Sequence, residues 1–376
     1  MYRLGEHSMI IGVPKEIKTL ENRVGLIPGS VRELIAHGHS VLVEKDAGCG
    51  VGFKDGAYED AGAKIIDTPQ EIFAQADMIV KVKEPQLNEC EMLRPGQTLF
   101  TYLHLAADKP QAEALCKSGC LAIAYETVTN DRGTLPLLQP MSEVAGRMAV
   151  QVGAACLEKT NGGAGILLGG VPGVDAAEVV IIGGGVAGEN ALQMAIGARA
   201  NIIVFEKSLS RIAELDRMYG DRVQVSYSTN LAVEEAVLNA DLVIGAVLIP
   251  GASAPQLVSR ENLKGMKDGS VLVDIAIDQG GCFETSKPTT HDKPTYVIDG
   301  VVHYCVANMP GGVPKTSAIA LNNATLPYVL KLADMGVKEA LASDEHLRNG
   351  VNVQDGYITY AAVARDLNME YRAFQA

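Results

Sequence analysis

The chain has 376 residues, 47% of them apolar and 20% charged, with 39 glycines, 12 tyrosines, 6 phenylalanines and no tryptophan. A chain this long buries ~75% of the surface it exposes when unfolded, so it needs neither disulfides nor a structural metal, and at ~150 residues per domain it makes two domains or three. With 32 Lys and Arg against 45 Asp and Glu the net charge is −13; this repels polyanions, and with no basic run to offset it nucleic acid and anionic membrane are excluded as partners.

Met1–Ser8 precede the first strand and stay outside the fold argument. Short apolar runs then alternate with helical periods, the pattern of an α/β chain with parallel sheets. Strands are expected at Met9–Val13, Ser40–Glu44, Met78–Lys83, Thr98–Leu103 and Leu121–Ala124, with helices around Val31–His37, Gln70–Gln75 and Pro110–Ser118. From Pro140 a helix rich in small residues runs to about Glu158, and a glycine-rich loop from Gly162 to Gly173 leads into a second α/β set. Its strands fall at Val179–Gly183, Asn201–Glu206, Val223–Tyr227, Leu242–Val247, Ser270–Ile275 and Val301–Val306. The apolar stretch Leu242–Ser259 is broken by Gly245, Pro250, Gly251 and Pro255, so it reads as strand and loop, not as a membrane span. After Pro314 the chain is helical again, with Ser317–Met335 as one long segment. A lone helical tail has no core of its own, so it is expected to pack back on the first domain.

Val179–Ile182 runs into Gly183-Gly184-Gly185-Val186-Ala187-Gly188, and a helix follows. After a buried strand and at the opening of a helix, G-x-G-x-x-G is a dinucleotide-binding fingerprint. Gly183 allows the tight turn, Gly185 lets backbone amides approach the pyrophosphate, and Gly188 lets helix and strand pack closely. The helix N-terminus adds partial positive charge for the phosphates. Glu206 ends the second strand, where the adenosine ribose belongs. Its carboxylate accepts from the ribose hydroxyls and repels a 2′-phosphate, by up to about 4 kcal/mol at ~4 Å and an effective dielectric of about 20. That favours NAD over NADP, with Lys207 and Arg211 as nearby cations that soften the preference. The expected fold class is α/β with two doubly wound, Rossmann-like domains: an NAD-binding domain over 140–314 and a discontinuous substrate domain made of 1–139 and 315–376.

Three further polar segments close strands, at the carboxyl ends where open α/β sheets bind ligands: Lys81–Pro85, Thr101–Ala106 and Asp274–Gly281. Together with Asn22-Arg23-Val24, Lys83-Glu84-Pro85, His104-Leu105-Ala106, Met141–Gly146, the Gly183–Gly188 loop and Asn308-Met309-Pro310, they make the chain from Met9 onward resemble the alanine dehydrogenase family closely. The transhydrogenase α subunit is a relative with similar stretches.

That resemblance implies an oxidoreductase of amino-acid catabolism that converts L-alanine, NAD and water reversibly to pyruvate, NADH and ammonium. The substrate carboxylate needs cations, and the resemblance assigns Arg23 and Lys83. Loss of hydride from Cα leaves an iminium that water attacks, and a group titrating near neutrality must move protons; histidine is the side chain suited to this. His104 is therefore one acid/base candidate and Asp278 the other, with the division of protons between them open. By the same resemblance Ser142 meets the nicotinamide end or the phosphates, Val186 and Ala187 the pyrophosphate, Ser228 the adenine side, and Val247 and Leu248 the adenosine. Ile275, Ala276, Ile277 and Asp278, with Val306, Ala307, Asn308 and Met309, enclose the nicotinamide and its ribose. Tyr102, Met141 and Met309 are candidates for narrowing the pocket toward a methyl side chain. A homohexamer is implied too, with Pro140–Ser142 and Val306–Pro314 as the segments crossing between domains.

The seven cysteines are odd in number, scattered and without a Cys-x-x-Cys pair, and no signal peptide is apparent, which points to a reducing cytoplasm. Cys116 and Cys120 read as apolar filling on one helix face. His37, His39, His291, His303 and His346 lack metal-ligand spacing, so no metal site is expected. Two readings compete with the enzyme: a transhydrogenase-type NAD(H)-binding subunit that needs a partner, and a catalytically silent NAD sensor. The joint presence of Arg23, Lys83, His104 and Asp278 counts against the sensor.

Overall fold

The computed structural model describes residues 8–247 and 255–375. The chain divides into two compact units, one made of the chain up to Met141 and again from Val313, the other of Ser142–Gly312.

The first unit opens with β1 (Ile10–Val13), β2 (Ser40–Glu44), β3 (Lys64–Ile66), β4 (Met78–Val80), β5 (Thr98–Thr101) and β6 (Leu121–Ala124), all parallel in the spatial order β3-β2-β1-β4-β5-β6. Alternate side chains leave a strand on opposite faces, and here both faces are apolar. Ile11, Val13, Val43, Met78, Val80 and Phe100 join one core, while Leu42, Ile79, Leu99 and Ala122 join another. This is why the strands read as continuous apolar runs and why helices cover both sides. Two strands stop short of their expected ends at Lys83 and Leu103. Beyond β4 and β5 the amides of Val82, Leu103 and His104 go to the carboxylates of Glu16 and Glu126 instead of extending a ladder.

The second unit contains β7 (Glu178–Ile182), β8 (Asn201–Glu206), β9 (Gln224–Tyr227), β10 (Leu242–Gly245), β11 (Val271–Asp274), β12 (Thr295–Ile298) and β13 (Val301–Tyr304), in the order β12-β13-β11-β10-β7-β8-β9. All are parallel to their neighbours except the edge strand β12, which pairs antiparallel with β13. Both sheets therefore reverse direction of strand order beside their first strand, between β1 and β4 and between β7 and β10. Crevices for ligands open at such points.

The chain after Pro314 returns to the first unit, but not as a purely helical tail. The helix Pro314–Met335 places Leu321, Val329 and Leu332 in the first core. Then β14 (Val351–Gln354) pairs antiparallel with β6, and β15 (Tyr357–Ile358) with β14. Between them Asp355 and Gly356 both have positive φ, 50° and 85°, as a tight type I′ hairpin turn requires. Cys120 also departs from expectation. The helix Lys109–Ser118 closes at Gly119, with φ 70°, so Cys120 lies beyond it and does not share a helical face with Cys116.

Candidate active site

In the first unit the candidate residues follow the carboxyl ends of the strands beside the switch point. Arg23 lies in the loop after β1, Lys83 after β4 and His104 after β5. Arg23 is almost wholly buried, with Nε 2.7 Å from Glu21 Oε1 and Nη2 2.6 Å from Glu21 Oε2. This is a bidentate fork, the strongest and most directional way to hold a guanidinium. Nη1 contacts Met141 Sδ at 3.1 Å. Burial pushes Glu21 up, but the Arg23 hydrogen bonds and charge, with a share from Lys83, outweigh it and hold this carboxyl below its ordinary range. Sequence reasoning missed Glu21; its signal was an acid two residues before the candidate arginine.

Lys83 is half-buried and its peptide is held on both sides: the amide points to Glu16 Oε1 at 3.3 Å, and the carbonyl accepts from Thr101 Oγ1 at 3.0 Å. The carboxylate of the next residue, Glu84, pairs with Lys18. Burial raises Glu84, and Lys18 together with the Lys83 charge brings it net below its ordinary range.

His104 has a left-handed backbone, φ 49° and ψ 36°. Non-glycine residues rarely adopt this conformation, and it persists where surrounding contacts impose it. The imposing group is Glu126, whose carboxylate accepts the His104 amide at 2.6 Å and the Leu103 amide at 3.2 Å. Glu126 Oε1 also lies 4.0 Å from His104 Nδ1, and the imidazole stacks on Tyr102 with ring centroids 5.7 Å apart. Tyr102 is itself fixed, its hydroxyl donating to the Leu137 carbonyl at 2.5 Å.

In the second unit the Gly183–Gly188 loop joins β7 to the helix Val186–Gly197. Gly183 has φ 103°, and a Cβ there would stand 2.8 Å from the Ala246 carbonyl oxygen. At Gly188 a Cβ would stand 1.8 Å from the Gly183 carbonyl oxygen, so the helix packs on the turn only because residue 188 is glycine. Gly185 is different: it is the N-cap, and among the described residues no side chain caps the helix and a Cβ would meet no atom within 4 Å. Among the described residues, the first-turn amides of Val186, Ala187 and Gly188 thus open the helix without a side-chain cap, as a pyrophosphate site requires.

Glu206 reaches this loop. Its Oε2 accepts the Gly184 amide at 2.9 Å, and Oε1 accepts the amides of Lys207 and Ser208 at 2.7 and 2.9 Å. A carboxylate offers about four lone-pair sites, so room remains for a ribose hydroxyl. The Ser228 amide donates to the Glu206 carbonyl at 3.0 Å, which brings residue 228 alongside. Arg211 braces the loop: Nε donates to the Gly184 carbonyl at 2.8 Å, and the guanidinium pairs with Glu189 and Glu214. Val247 adjoins Gly183, whereas Leu248 lies outside the described residues. Ser142 sits in the first half of the helix Gln139–Cys156.

Asp278 is exposed on a short 3₁₀ turn, Ile275–Gln279, after β11. The turn is pinned by the buried Asp274, which accepts the Ala276 amide at 3.0 Å, the Cys282 amide at 2.8 Å and the Ser286 hydroxyl at 2.5 Å. Asp278 Oδ2 accepts the Asn308 amide at 3.4 Å, drawing together the two segments Ile275–Asp278 and Val306–Met309. Asn308, like His104, has a left-handed φ, 56°.

Among the described residues the other histidines have structural partners: His37 and His39 share Asp334, His346 meets Asp131, His303 meets Thr285, and His291 Nε2 lies 3.2 Å from the Asn308 carbonyl oxygen. Among the described residues no group of three or more His, Cys, Asp or Glu is arranged to hold a metal ion.

Comparison with known proteins covers both units. Residues 12–145 match the model for the alanine dehydrogenase/PNT N-terminal domain, and residues 149–361 that for the C-terminal domain. The chain is 58% identical over 363 residues to the alanine dehydrogenase of Halomonas elongata, covering 96% of this chain and 98% of that protein. It is 57% identical over 364 residues to that of Bacillus subtilis, covering 96% of each. A solved L-alanine dehydrogenase superposes with a TM-score of 0.93 at 51% identity, over 96% of this chain and 99% of that one. A transhydrogenase from Sinorhizobium meliloti superposes at 0.80 with 25% identity, over 94% and 99%.

Proposed function

The chain belongs to the alanine dehydrogenase family, and from that premise we propose that it interconverts L-alanine, NAD⁺ and water with pyruvate, ammonium, NADH and a proton. The observation that carries this reading is the match to alanine dehydrogenases over nearly the whole chain. NAD, held at the Gly183–Gly188 loop, supplies the hydride acceptor. In this reading 140–314 is the NAD-binding domain, and 1–139 with 315–376 the substrate domain.

Arg23 and Lys83 bind the substrate carboxylate. Support comes from their fixed bases: Glu21 holds the guanidinium by two edges, and the Lys83 peptide is bonded at both ends. His104 and Asp278 move the protons of water attack and ammonia release, each presented from a turn that a buried or half-buried carboxylate pins. Glu206 selects the ribose hydroxyls of NAD. The remaining carried-over contacts, from Ser142, Val186, Ala187, Ser228, Val247 and Leu248 to Val306–Met309, complete the cofactor site.

The reading extends to a cytoplasmic homohexamer. All seven cysteines are free, and among the described residues no helix is long and apolar enough to cross a membrane. A panel of amino acids with NAD⁺ and NADP⁺ in parallel tests the function. L-alanine with NAD⁺ is expected to give the fastest rise in NADH absorbance, and His104→Ala to lower kcat by about 10²-fold or more. NADH binding without alanine-dependent turnover would favour a transhydrogenase-type subunit. Sedimentation velocity tests the hexamer.

A further inference from the structure

Behind the loop that carries Lys83 lie three charges the reaction does not use. Lys81 is fully buried, with Nζ 3.1 Å from Glu16 Oε2 and 2.7 Å from Glu89 Oε1, and both carboxylates are nearly as buried. Replacing such a cluster with apolar side chains of similar volume is commonly neutral or stabilising, because the desolvation of the ions offsets their attraction. Stability alone therefore gives no reason for three ions here.

Their remaining bonds do give one. Glu16 Oε1 accepts the amides of Val82 at 2.6 Å and Lys83 at 3.3 Å, while Glu89 Oε2 accepts the amide of Gln86 at 2.8 Å. One carboxylate grips the start of the loop, the other its end, and the Lys81 ammonium ties the two together. The Thr101 hydroxyl holds the Lys83 carbonyl from the other side. Glu16 follows β1 and Lys81 follows β4, so the clamp spans the two strands at the switch point.

We infer that Glu16 is a positioning residue for substrate binding: with Thr101 it fixes the Lys83 peptide, and so sets where the ammonium meets the substrate carboxylate. The inference rests on the reading of Lys83 given above. A lysine on a loosened loop still carries its charge but must lose more freedom on binding, so the effect falls on carboxylate affinity and not on the cofactor.

The test is steady-state kinetics of the full chain in the reductive direction, varying pyruvate and NADH separately, with the melting temperature measured in parallel. In Glu16→Gln a carboxamide has one acceptor oxygen and must turn its NH₂ toward either the Lys81 ammonium or the loop amides. The KM for pyruvate is expected to rise about tenfold while the KM for NADH stays within about twofold. Lys83→Ala is expected to raise the pyruvate KM at least as much. The double variant should be no worse than Lys83→Ala, since residues acting through one interaction are non-additive.

If Lys83→Ala raises the pyruvate KM and Glu16→Gln lowers only the melting temperature, the positioning role is overturned and the reading of Lys83 stands. If Lys83→Ala leaves the pyruvate KM unchanged, the reading of Lys83 fails and takes the inference with it. Should Glu16→Gln not fold, Thr101→Val removes only the hydroxyl on the Lys83 carbonyl; an unchanged pyruvate KM there overturns the inference.

Discussion

The two sheets share one strand order about their first strand, yet the loops after those strands are built on opposite principles. After β7 the chain turns through Gly183, Gly184 and Gly185, and side chains are absent so that backbone can approach a ligand. After β1 it continues through Pro14-Lys15-Glu16 to Glu21 and Arg23, and buried charged side chains hold backbone in place. In the proposed reading, one loop recognises a diphosphate with main-chain amides and a helix terminus. In the same reading the other sets up side-chain cations for a small carboxylate, a ligand suited to a point charge and a planar fork. The same topology thus yields two different crevices, and the difference lies in what fills the space at the switch point.

The largest effect should come from breaking the charged crevice. Lys81→Met leaves Glu16 and Glu89 buried without their common counter-ion, and breaking a buried pair this way costs about 3–5 kcal/mol. The melting temperature and the urea midpoint are expected to fall accordingly. If both stay at the wild-type value, the cluster is not held by its ion pairs.

The contrast also explains what sequence could reveal. The glycine loop is local: strand, fingerprint and helix occupy one continuous stretch, so the tight turn at Gly183 and the close packing at Gly188 were readable. The strands Ser40–Glu44, Leu121–Ala124 and Asn201–Glu206 were readable in full because their apolar runs have clear polar or glycine borders. The clamp on Lys83 is not local. Glu16 and Lys81 stand 65 positions apart, and nothing in either neighbourhood shows that one will neutralise the other. The three-residue β3 was too short for a periodic signal, and the four-residue edge strand β12 carries only the short apolar run Tyr296-Val297-Ile298. The β14–β15 hairpin did carry a signal, Asp355-Gly356 between alternating apolar residues, the strongest short-range mark of a type I′ turn. His104 stood out in the sequence as an acid/base candidate, but its left-handed backbone did not, since Glu126 imposes it from 22 positions away.

A second, smaller effect is expected in the glycine crevice. Gly188→Ala sets a methyl group 1.8 Å from the Gly183 carbonyl oxygen. Backbone must move, at the ~1–3 kcal/mol typical of overpacking. A fluorescence titration should show NADH affinity reduced at least about tenfold, that is by 1.4 kcal/mol or more. Wild-type affinity would mean that the helix and turn do not pack as closely as the backbone here implies.

The smallest effect separates packing from recognition within that same loop. Gly185 has φ −70°, open to any residue, and among the described residues its added Cβ meets no atom within 4 Å. Gly185→Ala should therefore leave the melting temperature unchanged. With no described residue in its way, the methyl group stands where a ligand would approach the helix N-terminus, so NADH affinity should still fall, by an amount on the order of tenfold or less. A stable protein with weakened NADH binding would mean that glycine serves the fold at position 188 and the phosphates at position 185. Unchanged binding would move the pyrophosphate away from Gly185. The glycine crevice would then resemble the charged one, a loop shaped for its own packing, with recognition left to side chains such as Glu206.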